Sequence, residues 1–306
     1  MKTEDVEKGL AIADKVADLG YKLLNFFNDN IPTFKANQIY IQEIEKNDKL
    51  STSEKMALLY NAKAVKRNME NLYSVYELTN LMLKEKGSSL ETADLDTDSE
   101  WFCMFSDIAK NVSNEGMQHI WAKILASKCE DKKSADKKLL SILQVMEYED
   151  AEIFSYICAN SVFAITNSRK IIPEFIYLSD LNVKAIFDES EESEISIADI
   201  YDQDLINHET LTQMQNLGLI KYHTVLSGYG LKISDDSSIV IDYYGKKIQI
   251  CSQSEKFLKF GIVELTKCGQ QLVKILHNGQ NENKNLLLID KLIEYYQKTG
   301  FEVHIL

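Results

Sequence analysis

Proline is nearly missing from this sequence: Pro32 and Pro173 are the only two in 306 residues. Long stretches therefore contain no residue that lacks a backbone donor and breaks a helix. Cysteine is also sparse. Cys103, Cys129, Cys158, Cys251 and Cys268 form no CxxC pair and no even framework. That excludes a secreted disulfide scaffold and the common zinc modules. No apolar run reaches the roughly 18–20 residues that span a bilayer. The first residues lack the basic stretch, unbroken apolar core and small-residue cleavage site of a secretory signal, so the expected location is the cytoplasm, without a membrane.

Positive charge is short as well. The net charge is -13 and the pI about 5.0, a balance that repels nucleic-acid phosphates and anionic lipid. The best basic stretches are KCEDKKSADKK at 128–138 and YGKKIQ at 244–249, and Glu130, Asp131 and Asp136 dilute the first. Enzyme signatures are missing too: no GxxxxGK[ST], GxSxG or GxGxxG occurs. DLDTD at 94–98 opens like a calcium loop, but Ser99 stands where the loop needs Gly and Phe105 where it needs Glu. The reading assigns no catalytic residue, no cofactor and no metal site.

What is present is helical periodicity. In residues 4–27, Val6, Leu10, Ala13, Ala17, Gly20, Leu24 and Phe27 recur at alternating spacings of four and three, a heptad stripe. Ser51 and Glu54 match a capping box. After them Leu58, Ala62, Val65, Met69, Leu72, Tyr76, Thr79 and Leu83 repeat the stripe until Gly87. A helix this long cannot bury such a stripe alone. The expectation is an N-terminal helical hairpin or coiled-coil arm over 1–87. Leu58, Val65, Met69, Leu72 and Tyr76 are its candidate contact residues, and a dimer is the favoured assembly.

A central helical domain is expected over 95–187. Trp101, Phe102, Phe105, Ile108, Ala109 and Val112 share one helical face. Met117, Ile120, Trp121, Ile124 and Leu125 share another, capped by Ser113 or Asn114. His119 projects from the opposite side with no HxxxH companion, which places it outside a metal site and makes Trp121 a core anchor. Helices are expected over 136–146 and 149–166.

Here the residues carry a resemblance. VSNEGMQ at 112–118, IWAKILA at 120–126, DAEIF at 150–154 and LTKCGQQL at 265–272 are similar to the segments of an uncharacterised prokaryotic family, Domain of Unknown Function 2806. The likeness covers about residues 98–280 and leaves the N-terminal helices outside. It implies no catalytic residues. By fold-level analogy with proteins encoded among anti-phage and abortive-infection genes, it implies a setting in bacterial phage defence.

The acidic run at 188–194 reads as a solvated boundary. Beyond it, over 195–306, the order is short helices ending at Gly218, a strand, a hairpin across Gly245, another strand and a helix at 266–277. That order suggests a winged-helix-like α+β domain, within a chain that is mainly α. Its second helix, within 204–217, holds no Lys or Arg, whereas a DNA-reading helix needs cationic flanks. Cys251, Cys268, His277 and His223 lack zinc-module spacing and read as core.

The functional expectation is therefore a protein-interaction or assembly protein with an unidentified protein partner. The alternative is a winged-helix DNA-binding regulator that pools Lys246 and Lys247 across a dimer. A cryptic nuclease or other effector enzyme comes third.

Overall fold

The computed structural model describes residues 39–306 except 91, 92, 94, 96–98, 179–195, 224–227, 235, 236 and 278–283. The stripe at 4–27 and the acidic run at 188–194 lie outside the described residues. The chain divides into two compact units, 1–140 and 141–306.

In the first unit, residues 39–46 are helical and bury Ile41 and Ile44. Helix α1, Thr52–Glu85, then begins on the expected capping box: the Ser51 hydroxyl accepts from the Glu54 amide, and Glu54 Oε2 accepts from the Ser51 amide at 2.9 Å. It ends where Gly87 turns left-handed at φ +78°, with the Ser88 amide donating to Leu83 and the Gly87 amide to Lys84. Two further helices pack on it, α2 (Glu100–Ala109) and α3 (Glu115–Glu130). Their shared core is aromatic. Trp101 stacks on Phe105 at 5.3 Å, Phe105 meets Trp121 edge-on at 5.2 Å, and Tyr76 stacks on Phe102 at 6.2 Å. Several polar groups inside this core are paired: the Tyr76 and Ser106 hydroxyls bond at 2.9 Å, and Thr79 donates to the Val75 and Ala122 carbonyls, while the indole N–H groups of Trp101 and Trp121 are buried without a hydrogen-bond acceptor among the described residues. Helix α4 (Lys137–Val145) crosses the boundary between the units.

The second unit corrects the expectation of a mainly helical chain. It opens with α5 (Tyr148–Ala159), but the expected helix over 149–166 stops there, and Val162–Ile165 is strand β1, paired with β2 (Ile171–Glu174). The apolar run through Val162 has no period of its own that separates a buried helix from a buried strand. Here Asn160 and Ser161 close the helix through bonds to Tyr156 and Ile157, and alternate burial of Val162 and Ala164 follows. After α6 (His208–Asn216) come β3 (Ile220–Tyr222), β4 (Tyr229–Ile233), β5 (Ser238–Tyr243), β6 (Lys246–Cys251), β7 (Lys256–Gly261) and β8 (Val263–Leu265). These are one nested antiparallel hairpin, with β5 on β6, β4 on β7 and β3 on β8. The pairing Ile233↔Lys256 resumes at Ser238↔Cys251 with equal gaps on both arms, so the register is kept across the break. Helices α7 (Lys267–Leu276) and α8 (Leu288–Lys298) and strand β9 (Glu302–Ile305) complete the unit.

The order β2-β1-β5-β6-β9 makes the expected wing, β5 and β6, the middle of a five-stranded antiparallel sheet. The chain is a mixed α+β protein. Its hairpin is held on both edges by neighbouring strands, where a winged helix would leave it free.

Two glycines permit this packing. Gly261 sits at φ +108°, and a Cβ there would fall 1.8 Å from the Tyr177 carbonyl oxygen, which accepts from the Ile262 amide. At Gly269, in the first turn of α7, a Cβ would fall 2.1 Å from the Leu219 carbonyl.

Candidate functional site

The five candidate contact residues of α1 divide into two groups. Leu72 and Tyr76 are buried against α2 and α3, as are Val75, Thr79 and Leu83 around them. Met69 is half-buried. Leu58 is 36% exposed and Val65 40%, although both lie on the same helical stripe as Leu72 and Tyr76. On other sides of the same half-helix, Met56 is 68% and Tyr60 76% exposed. From Leu72 onward the stripe is closed within the unit; before it Ala62 is buried, at 4% exposure, while Leu58 and Val65 stay exposed.

The candidate cations for nucleic-acid contact lie beside one turn. Lys246 and Lys247 begin β6 beside the hairpin turn, and Lys247 pairs with Asp242 across the turn at 3.4 Å. Helix α6, the expected recognition helix, carries Glu209 in its first turn, and its Gln213 amide donates to Asp150 in α5. Its His208 ring lies against Tyr222 of β3.

The nucleophile and metal candidates are separated. His119 is exposed, and burial pushes the Cys129 thiol up to about 12, away from thiolate chemistry. Cys268 is buried in α7, His223 Nε2 bonds Glu264 at 3.0 Å, and His277 lies against Tyr244 and Phe163. Among the described residues no group of three or more His, Cys, Asp or Glu side chains could hold a metal.

The sequence reading missed two features of the second unit. The first is Glu174, a single carboxyl within the apolar run Ile171–Leu178 and fully buried. Tyr229 donates to its Oε1 at 2.9 Å, while Oε2 has no partner. Burial raises its pKa to about 7, opposed by the Tyr229 bond. A lone acid in an apolar strand was the available signal. The second is Tyr244, in the two-residue turn between β5 and β6. It adopts φ +51°, followed by Gly245 at +85°, the left-handed pair that a type I′ hairpin requires. Asp242 Oδ1 closes the turn by accepting from the Gly245 amide at 2.9 Å. The tyrosine ring stacks on His277, and the Lys284 ammonium lies 5.4 Å from the ring centre.

With this geometry in place, the sequence model of one protein family matches residues 36–288. The chain belongs to the DUF2806 family, described as proteins of unknown function. The match takes in α1, which the resemblance had left outside, and stops at the first residue of α8. No curated protein and no solved structure matches the chain.

The segments that carry the DUF2806 likeness have structural duties. Asn114 caps α3 by accepting from the Met117 amide at 3.0 Å, and Gln118 donates to the Val112 carbonyl while accepting from Ser74. Trp121 and Ala122 are wholly buried. Asp150 accepts from the Glu147 amide at 2.9 Å to close the first turn of α5. Thr266 caps α7 at the Gly269 amide and donates to the Gly218 and Leu219 carbonyls, so Thr266 and Gly269 together seat α7 on the end of α6. Every polar side chain named in these segments is spent on caps and packing, and none converges on a common point of chemistry.

Proposed function

We propose that this DUF2806 protein acts by binding other protein chains through the first half of α1, with a second copy of itself as the simplest partner. The supporting observation is the open stripe. Leu58 and Val65 continue the line of Leu72 and Tyr76, yet they stand exposed at 36% and 40% on either side of the buried Ala62. Apolar side chains repeated at heptad spacing on a helix are the pattern that a second helix covers. Exposed singly they would need no explanation, but in register with a buried stripe they extend it. The acidic balance and the Lys247–Asp242 pair favour protein over nucleic acid as the partner. Placement of this activity in phage defence rests on the family resemblance alone.

The test is multi-angle light scattering of the intact chain beside Leu58→Glu/Val65→Glu. The wild type is expected to run as a dimer at tens of micromolar and the double variant as a monomer with an unchanged circular-dichroism spectrum. Equal masses for the two proteins would remove α1 as the contact.

A further inference from the structure

The second unit contains a cleft of ≈ 280 Å³ between β7 and the end of α8, lined on one side by Lys256, Phe257 and Lys259 and on the other by Tyr296, Thr299 and Phe301. We propose that this cleft binds a small anion carrying a planar ring, with the Lys256 ammonium holding the charge and the exposed Phe257 ring holding the plane.

The first support is the placement of the cation. Lys256 Nζ donates to the Gly300 carbonyl at 2.7 Å and lies 5.4 Å from the Phe301 ring centre. An ammonium has three N–H groups, so a carbonyl and a ring face leave donors for a third partner. The neighbouring carboxylates are engaged elsewhere, Glu255 with Lys232 at 2.5 Å and Glu302 with the Gln253 amide. In a chain of net charge -13, a lysine at the wall of a cleft whose neighbouring carboxylates are engaged elsewhere favours an anion.

The second support is that the turn ending α8 seats the lysine against the cleft. Gly300 takes φ +79° at the end of α8, and a Cβ on it would lie 2.7 Å from Lys256 Nζ. The Gly300 amide donates to Gln297 and the Phe301 amide to Tyr296, which fixes the turn. The Tyr296 hydroxyl donates to the Lys259 carbonyl at 2.8 Å and ties α8 to β7, so the two walls keep their spacing.

The third is the apolar lining. Phe257 is 44% exposed, large for an aromatic on a strand, and it borders the cleft. Flat rings recognise flat rings, and the volume, just below the roughly 300–1,000 Å³ of drug-sized ligand pockets, admits one ring and one anionic group. The site shares no residue with the α1 surface and is independent of that proposal.

Isothermal titration of the intact protein tests it with four probes: salicylate and phenyl phosphate, which carry ring and charge, and inorganic phosphate and benzyl alcohol, which carry one each. At least one of the first pair is expected to bind saturably, and which one distinguishes a carboxylate from a phosphate ligand. Both controls are expected to be at least about tenfold weaker. Lys256→Gln and Phe257→Ser are each expected to weaken that binding by about tenfold while the thermal midpoint holds, since Phe257 is exposed enough to replace without unfolding. No saturable binding of either ring-bearing probe, a control binding as tightly, or binding indifferent to both substitutions would overturn the assignment.

Discussion

The ring of Tyr244 lies on the ring of His277, with centroids 4.2 Å apart and planes 17° from parallel. The first side chain belongs to the hairpin turn and the second to the residue that ends α7, so the stack joins the tip of the central hairpin to a helix terminus. It also accounts for a residue type that the turn itself disfavours. A tyrosine at φ +51° costs about 1 kcal/mol relative to Gly or Asn, and a well-placed aromatic pair returns about 0.5–1.5 kcal/mol beyond its buried area.

The strain relieved in Tyr244→Asn and the stack lost nearly cancel, so the lost buried area of the ring decides the sign, and the variant should be less stable by up to about 1 kcal/mol. Urea unfolding followed by far-ultraviolet circular dichroism reads the change. A more stable variant would mean that the stack does not hold the turn.

Glu174 predicts a pH dependence. Its folded pKa is raised to about 7 from an ordinary value of 4.5, because burial penalises the carboxylate. The folded state therefore binds the proton more tightly than the unfolded state. Its contribution is fully present below pH 4.5 and is lost as pH rises through 7. The whole effect is of order 3 kcal/mol. Glu174→Gln should flatten the decline between pH 5 and 8 and be the more stable protein at pH 8. Glu264 works in the opposite direction, since Lys221 and His223 hold its pKa below the usual range against a desolvation penalty. The substitution at Glu174 separates the two.

In the motif at the start of α7, Gly269→Ala should cost several times what Thr266→Ala costs. Removing the threonine loses a cap and two carbonyl bonds, about 1–2 kcal/mol. The alanine methyl instead meets the Leu219 carbonyl at 2.1 Å, and one of the two backbones must move. Thermal midpoints of the two variants give the comparison.

The split of the α1 stripe is measurable as stability. Leu72→Ala should cost about 2–4 kcal/mol, a core truncation. Leu58→Ala should change monomer stability by under about 0.5 kcal/mol. Chemical denaturation at a concentration below self-association checks both. A large cost at Leu58 would show that the open half of the stripe is already covered within one chain.

The sequence alone determined what depends on neighbours along the chain. The Ser51–Glu54 box, the Asn114 cap, the stop at Gly87 and the helical faces around Trp101 and Trp121 follow from side chains within a turn or two of one another. They appear as read. So does the turn at Gly245. The tertiary structure decided what depends on distant partners. Val162–Ile165 is strand because β5 lies alongside it, some eighty residues later in the chain, and an apolar run by itself does not choose between strand and helix. The hairpin became the centre of a sheet, and not a wing, because β1 and β9 supply its edges from opposite ends of the unit. Leu58 and Leu72 share one stripe in the sequence, and only the position of α2 and α3 leaves one open and buries the other. The cleft was invisible for the same reason. Lys256 and Gly300 are far apart along the chain, and the contact that gives them a shared purpose exists only once α8 lies beside β7.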